Sequence, residues 1–306
     1  MKKRPWRFGG HETFAIREGW LYKGLRLLRE DPETYFDPLV SDRLGVGRNM
    51  AKSIWHWLRA TGLIEKTLDR NRPPALTALG EMIWQHDPYF ADPGTWWVLH
   101  ANLCGKSSSA AAWYWFFNHF TAARFDKAQA LDQCWRFLEA EGVRLPSRTT
   151  LNRDITCLLQ SYAAPIPRST DDPEEGYDCP FQDLELLLHY RDSGFYECIR
   201  TFRPIPGPIF GYVLVKAFGN SPYKGEPQGR DTIAVPLQEA AHAPGGPGRV
   251  FGLNQDALMT TILTLERGKW LTLESLAGDK RIVMTHFPPL KWLELYYMET
   301  CYRSVA

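Results

Sequence analysis

A chain of 306 residues is long enough for one large core or two or three small ones. Its 36 Lys and Arg against 35 Asp and Glu leave a net charge of +1, and no apolar run reaches the roughly 18 residues of a membrane span. The N-terminal Met1-Lys2-Lys3-Arg4 lacks the apolar stretch of a secretory signal, and six scattered cysteines without a Cys-x-x-Cys pair argue against a zinc cage or disulfide framework and for a cytoplasmic protein. Charge is uneven, however. Residues 1–72 carry fifteen bases against nine acids, and residues 171–200 carry nine acids against two arginines. A basic lobe and an acidic segment suit a polyanion-binding face and a surface that docks basic partners.

The chain opens on Phe8-Gly9-Gly10-His11-Glu12-Thr13-Phe14, with Arg17 and then Gly19-Trp20-Leu21-Tyr22-Lys23-Gly24. A Gly-Gly pair beside His-Glu points to a backbone that must approach something closely. Phe14, Leu21, Leu25 and Leu28 recur at helical spacing, predicting a helix over 13–30 with Thr13 as N-cap and Pro32 as its stop. Residues 37–59 read as a short helix, a Gly-containing turn and a second helix. The second helix turns Met50, Ile54, Trp57 and Leu58 inward and Arg48, Asn49, Lys52, Ser53 and His56 outward. Gly62 leads into a strand at 63–66, residues 69–74 form a basic turn, and 75–77 return as a second strand before a helix at 79–84. Helix, short helix, turn, helix and wing is the winged helix-turn-helix order. A winged helix used for protein contacts is the competing reading.

Residues 92–125 are crowded with aromatics, which point to packed core helices; base stacking is the less economical alternative. Asp126–Glu141 reads as an amphipathic helix ending at Gly142, and Ser147 caps another, whose polar start (Arg148, Thr149, Asn152, Arg153) resembles a second recognition helix. Residues 165–177 mark a boundary. Beyond it a short helix is expected at 181–190, another at 209–218, and a helix–helix–wing rhythm over 235–241, 254–266, 270–274 and 280–285, with a mobile Gly/Pro loop at 243–248. The expected class is mainly α with small β wings (α+β), in two or three winged-helix-like units. The domains expected are 1–100, a DNA-binding winged helix; 101–168, a helical unit; and 169–306, an α+β unit.

Lys106-Ser107-Ser108-Ser109 lacks the spacing of a phosphate loop, and no dinucleotide motif is present, so no nucleotide cofactor is expected. His11 and Glu12 are not the His-Glu-x-x-His zinc helix, because Ala15 stands where the second His belongs. With Arg17 to neutralise a phosphate, they are the candidate catalytic group for phosphodiester cleavage, which needs a nucleophile, charge neutralisation and a proton donor, supplied in many hydrolytic nucleases by carboxylates around Mg²⁺ or Mn²⁺. In the competing reading Glu12 braces the following helix and His11 packs beside Trp6 or Trp20. Asp154, Asp178 and Asp183 are further carboxylates, each expected on a solvated flank. For DNA, Arg48, Asn49, Lys52 and Ser53 would meet the groove, Arg70 and Arg72 phosphates from the wing, Arg7 and Lys23 phosphates near the N-terminus, and Arg148 and Arg153 a second contact.

The N-terminal motif, with Leu76-Thr77-Ala78-Leu79-Gly80-Glu81 and Asp87-Pro88-Tyr89-Phe90-Ala91-Asp92-Pro93-Gly94-Thr95, resembles an uncharacterised bacterial domain family found beside DNA-sulfur-modification genes. The resemblance runs nearly full length and is strongest over residues 8–100. It implies a protein that acts on double-stranded DNA in an anti-phage phosphorothioation system, nicking one strand so that sulfur can replace a phosphate oxygen. It implies as partners a cysteine desulfurase, an ATP-pyrophosphatase-like sulfur-transfer protein and an ATPase. It brings no catalytic residues with it. A non-catalytic DNA-binding scaffold or a transcription regulator is the alternative, and a homo-oligomer stays open.

Overall fold

The computed structural model describes residues 6–66, 72–166, 179–220, 232–276 and 278–305. Helices dominate and the strands form two small sheets, so the α+β class holds. The chain divides into two compact units, one of residues 1–116 and 120–199 and one of 117–119 and 200–306.

In the first unit α1 (Trp20–Glu30) begins behind Gly19, at φ 74°. The helix expected from Thr13 starts seven residues late, after the left-handed turn at Glu12 and Thr13 (φ 49° and 68°). Its end is as expected: Asp31 precedes Pro32 and is held at φ −151°. A 3₁₀ turn (Pro32–Phe36) leads to α2 (Val40–Leu44), which Gly45 closes at φ 64°, and α3 (Arg48–Ala60) follows. Gly24 sets the approach of α1 to α3, since a Cβ there would lie 2.6 Å from Leu58 Cδ1 and 2.8 Å from Ile54 Cγ2.

The expected strand pair after α3 contracts to one antiparallel bridge, Ile64 with Leu76. Glu65 N–H donates to Ala75 O and Thr77 N–H to Leu63 O; Pro73 and Pro74 have no N–H with which to lengthen the ladder. The tip, residues 67–71 with Arg70, lies outside the described residues. Then come α4 (Ala78–His86), capped by Thr77, α5 (Pro93–Gly105), capped by Asp92 with Pro93 at its first position, and α6 (Ala111–His119). The aromatic crowd is core: Trp96, Trp97, Trp113, Trp115, Phe116 and Phe120 are buried.

After β1 (Arg124–Phe125), α7 (Lys127–Ala140) carries an Asp126–Gln129 capping box; α8 (Arg148–Tyr162) follows, and Ser147 caps it as expected. β2 (Ala163–Pro165), β3 (Leu187–Tyr190) and β4 (Phe195–Cys198) complete a sheet of order β1-β4-β3-β2, in which only the β2–β3 pair is parallel. The helix expected over 181–190 is instead a 3₁₀ turn (Pro180–Leu184) ended by Glu185 at φ 52°, followed by β3.

The second unit runs α9 (Gly207–Phe218), β5 (Thr232–Pro236), α10 (Leu237–His242), α11 (Pro247–Val250), α12 (Gln255–Arg267), β6 (Thr272–Leu276), β7 (Asp279–Thr285) and α13 (Pro289–Val305). Its antiparallel sheet has the order β5-β7-β6. Val235 and Pro236 finish β5 rather than starting a helix. The 243–248 loop, expected to be mobile, is packed down: Gly246, Pro247 and Gly248 are buried, and Gly245 N–H donates to Asn118 Oδ1 at 2.7 Å.

The tightest glycine requirement is at Gly80, where a Cβ would lie 2.1 Å from Leu63 O. Because a backbone oxygen cannot swing aside as a side chain can, Gly80→Ala is expected to lose stability at the upper end of about 1–3 kcal/mol, read as a lowered urea midpoint at unchanged slope.

Candidate nucleic-acid interface

The Gly-Gly-His-Glu-Thr segment adopts a backbone that few sequences allow. Gly9, Gly10, Glu12 and Thr13 all have positive φ (70°, 94°, 49° and 68°), which turns His11 inward until it is 2 % exposed. Gly10 is required twice over, since a Cβ there would also lie 2.6 Å from His56 Nδ1. The His11 ring stacks on Trp57 (6.1 Å) and meets Trp113 and His56 edge-on (6.0 and 5.9 Å). Trp57, not Trp6 or Trp20, is therefore its stacking partner.

Both imidazole nitrogens are engaged. Thr13 N–H donates to Nδ1 at 3.1 Å, so the ring proton sits on Nε2, which donates to Asp154 Oδ1 at 2.9 Å. Gly9 N–H reaches both oxygens of the same carboxylate at 3.0 Å. Asp154 is thus no solvated flank residue; it is 2 % exposed and fastens the N-terminal motif to α8. A sequence signal for this existed. Asp154 sits within the stripe Leu151, Ile155, Leu158 that faces the core, and an acid in an apolar stripe needs a buried partner.

The remaining catalytic candidates do not join His11. Glu12 and Arg17 are exposed, and the Arg17 guanidinium lies over the Trp20 ring at 5.8 Å. Ser53 and His56, expected to face outward, are buried. Ser53 Oγ donates to Phe14 O at 3.5 Å, and Trp57 Nε1–H donates to the same oxygen at 3.0 Å. α3 is covered on this side by the N-terminal segment as well as by α1, which its own periodicity does not reveal. Burial, with His11, Arg7 and Arg59 nearby, pushes the His56 pKa down to about 3.

Two basic groups are exposed on this unit. Arg48, Asn49 and Lys52 occupy the exposed start of α3, with Lys52 Nζ donating to Asn49 Oδ1 at 3.4 Å; Lys23 Nζ comes to 4.0 Å from where Gly45 would carry a side chain. The second group was only partly foreseen. Arg7 is anchored by its backbone (N–H to Ser107 O at 3.0 Å, O from Ala111 N–H at 2.9 Å), near Arg59, Lys66 and Lys106. Burial lowers the Arg7 pKa and Arg59 lowers it further; burial lowers that of Lys66, followed by Arg7 and Lys106. Four cations thus crowd one region, the condition a polyanion relieves. Arg148 is compensated, by Asp132 at 3.2 Å and the Trp135 ring at 4.5 Å. Arg72 and Arg153 are exposed, and Arg70 and Asp178 lie outside the described residues.

Among the described residues no three His, Cys, Asp or Glu come together as a metal cage. The motif itself does not fit a resident ion, because His11 has no free nitrogen and Glu12 stands without a second ligand.

The first unit is thus a helical scaffold onto which an N-terminal segment is locked by a buried His–Asp pair. The chain belongs to the DUF4007 family of proteins of unknown function, matched over residues 8–297. Its structure is similar to that of SspB, both in the magnesium ion-bound SspB crystal structure (26% identity) and in a second SspB crystal structure (25%). Each has a TM-score of 0.78 and covers 95% of this chain and 87% of the other. No curated protein matches the sequence. No helix of the described residues is long and apolar enough to cross a membrane.

Asp154→Ala would strand the buried His11 donor, worth about 1–3 kcal/mol when unpaired, and the half-buried Gly9 N–H, so a loss of roughly 1–4 kcal/mol is expected in chemical denaturation, with less for Asp154→Asn. A pH effect follows from His56. The unfolded imidazole takes up a proton below about pH 6.5 and the folded one only near 3, so between these values the unfolded state binds more protons. Stability should fall with falling pH by about 1.4 kcal/mol per unit from this group, and His56→Gln should flatten that slope in unfolding curves from pH 7 to 5.

Proposed function

We propose that this protein is the DNA-handling component of a phosphorothioation system, binding double-stranded DNA through its first unit and nicking one strand so that sulfur can be inserted. The observation that carries the DNA reading is the crowding of Arg7, Arg59, Lys66 and Lys106, with the exposed Arg48, Asn49 and Lys52 at the other end of α3. The likeness to SspB supports the system, with the cysteine desulfurase, sulfur-transfer protein and ATPase as partners. We read α1, α2, α3 and the Ile64–Leu76 bridge as a winged helix with α3 as its recognition helix. The order α9-β5-α10-α12-β6-β7 is a second winged-helix succession. Its α12 exposes Gln255, Asp256, Thr260, Leu263, Thr264 and, at its far end, Arg267, one base against the two basic groups of the first unit, so DNA contact is assigned to the first unit.

Within this reading His11 has a positioning role and holds the motif on α8. Glu12 and Arg17 remain the exposed candidates for work at a phosphate. Arg17 can neutralise a phosphoryl oxygen, and Glu12 can accept a proton or share a divalent ion brought with the DNA, as Mg²⁺ often binds through one or two carboxylates, water and substrate phosphates. The second reading, a non-catalytic scaffold that recruits the modifying enzymes, draws on the saturated hydrogen bonding of His11.

Binding to a duplex across a salt series tests the interface. Arg48→Ala, Lys52→Ala and Lys66→Ala should each weaken binding and flatten the log–log salt slope by about 0.9 per lost phosphate contact, while Arg148→Ala should do less because Asp132 and Trp135 already occupy it. Unchanged slopes would remove the interface. Plasmid relaxation with Mg²⁺ or Mn²⁺ separates the two readings: relaxed circles from wild type that disappear in Glu12→Gln support nicking, and tight binding without relaxed circles supports the scaffold.

A further inference from the structure

A cavity of about 480 Å³ opens in the first unit beside the start of α1, the loop before α5 and the 3₁₀ turn Pro180–Leu184. Its walls are aromatic: Tyr89, Phe90, Trp96 and Trp97. Two carboxylates, Glu18 and Asp183, line it, and none of the lining residues is a cation. Among the described residues neither carboxylate has a hydrogen bond or ion pair. Burial raises the Asp183 pKa, and Glu18 and Glu185 raise it further; among the described residues no cation offsets them.

The aromatic wall is held in place rather than merely exposed. The Asp87 carboxylate accepts from Ala91 N–H (2.8 Å), Asp92 N–H (3.1 Å) and the Thr95 hydroxyl (2.7 Å), fixing the loop that carries Tyr89 and Phe90. Trp96 Nε1–H donates to Phe90 O at 2.8 Å. Tyr89 is 69% exposed yet rests on the Tyr22 ring, centroids 5.0 Å apart. One exposed aromatic is ordinary. An aromatic-walled cavity with unpaired carboxylates and no cation is selective by charge.

We propose that this cavity receives a cationic side chain, an arginine or lysine, presented by a partner protein. Aromatic faces attract a cation through their quadrupole, and a carboxylate adds a charge-assisted hydrogen bond. The volume lies in the lower part of the roughly 300–1,000 Å³ usual for ligand sites, enough for one long side chain. DNA is an unsuitable occupant, because its phosphates would face Glu18 and Asp183. The site uses none of the basic residues of the DNA reading and stands independently of it.

The test is a titration of the full chain with acetyl-arginine-methylamide, acetyl-lysine-methylamide and the neutral isostere acetyl-citrulline-methylamide, followed by tryptophan indole N–H signals in NMR. Saturable shifts are expected for arginine or lysine, at least fivefold tighter than for citrulline, and lost in the Glu18→Gln/Asp183→Asn double variant and in Tyr89→Ala. Equal binding of citrulline, or binding that survives the double variant, would overturn the proposal. Displacement by equimolar Mg²⁺ would also overturn it, by assigning the carboxylates to a metal. Both variants change exposed side chains, and an unaltered urea midpoint and slope confirm their folding without depending on the cavity or on DNA.

Discussion

The first unit depends on one buried contact, between the His11 imidazole and the Asp154 carboxylate. It joins two parts of this unit that lie 143 residues apart in sequence, the N-terminal segment and a helix that begins at residue 148. Removing a carboxylate from water is costly unless its oxygens are hydrogen-bonded. Here the imidazole N–H and the Gly9 amide meet that cost together. The donors exist only because the backbone at Gly9, Gly10, Glu12 and Thr13 adopts left-handed conformations. The strain of this segment and the satisfaction of the carboxylate are two aspects of one arrangement.

That arrangement has consequences at the surface. Once His11 is drawn under Trp57 and Trp113, the segment before it lies along α3, and Arg7 comes near Arg59 while its backbone bonds to Ser107 and Ala111. The cations gather because the motif is fixed, and without the buried pair Arg7 would be one more solvated side chain. The same packing buries Ser53 and His56, so α3 has fewer residues to offer a ligand than its sequence suggests, and its exposed start at Arg48, Asn49 and Lys52 gains correspondingly in importance. The first unit also separates charge of opposite sign, with crowded cations near the motif and unpaired carboxylates at the aromatic cavity.

Much of the fold was legible in the sequence. The cap at Ser147, the stop before Pro32 and the glycine at the α2–α3 turn are local rules, decided by a side chain bonding a nearby amide or by a backbone that must turn, and all appear in the structure. Local rules failed where another segment intervened. The helix expected from Thr13 was lost to the left-handed backbone that His11 needs in order to reach Asp154. The strand pair expected after α3 came down, among the described residues, to the Ile64–Leu76 bridge, beside two prolines whose effect depends on pairing. The helix expected at 181–190 gave way to a 3₁₀ turn and then to β3, which pairs with β4.

The sequence by itself determined the class of the fold, the positions of most helices, the concentration of positive charge toward the N-terminus and the membership suggested by the Gly-Gly-His-Glu-Thr motif, since each rests on composition or on neighbours within about one helical turn. Only the tertiary structure decided which polar residues are buried: that His11 and Asp154 pair, that Ser53 is covered, that Arg59, Lys66 and Lys106 join Arg7, and that Glu18 meets Asp183 at a cavity. The reason is distance along the chain. Burial and electrostatic crowding depend on segments up to about 165 residues apart in sequence, and a pattern read along one helix records its own faces but not what will cover them.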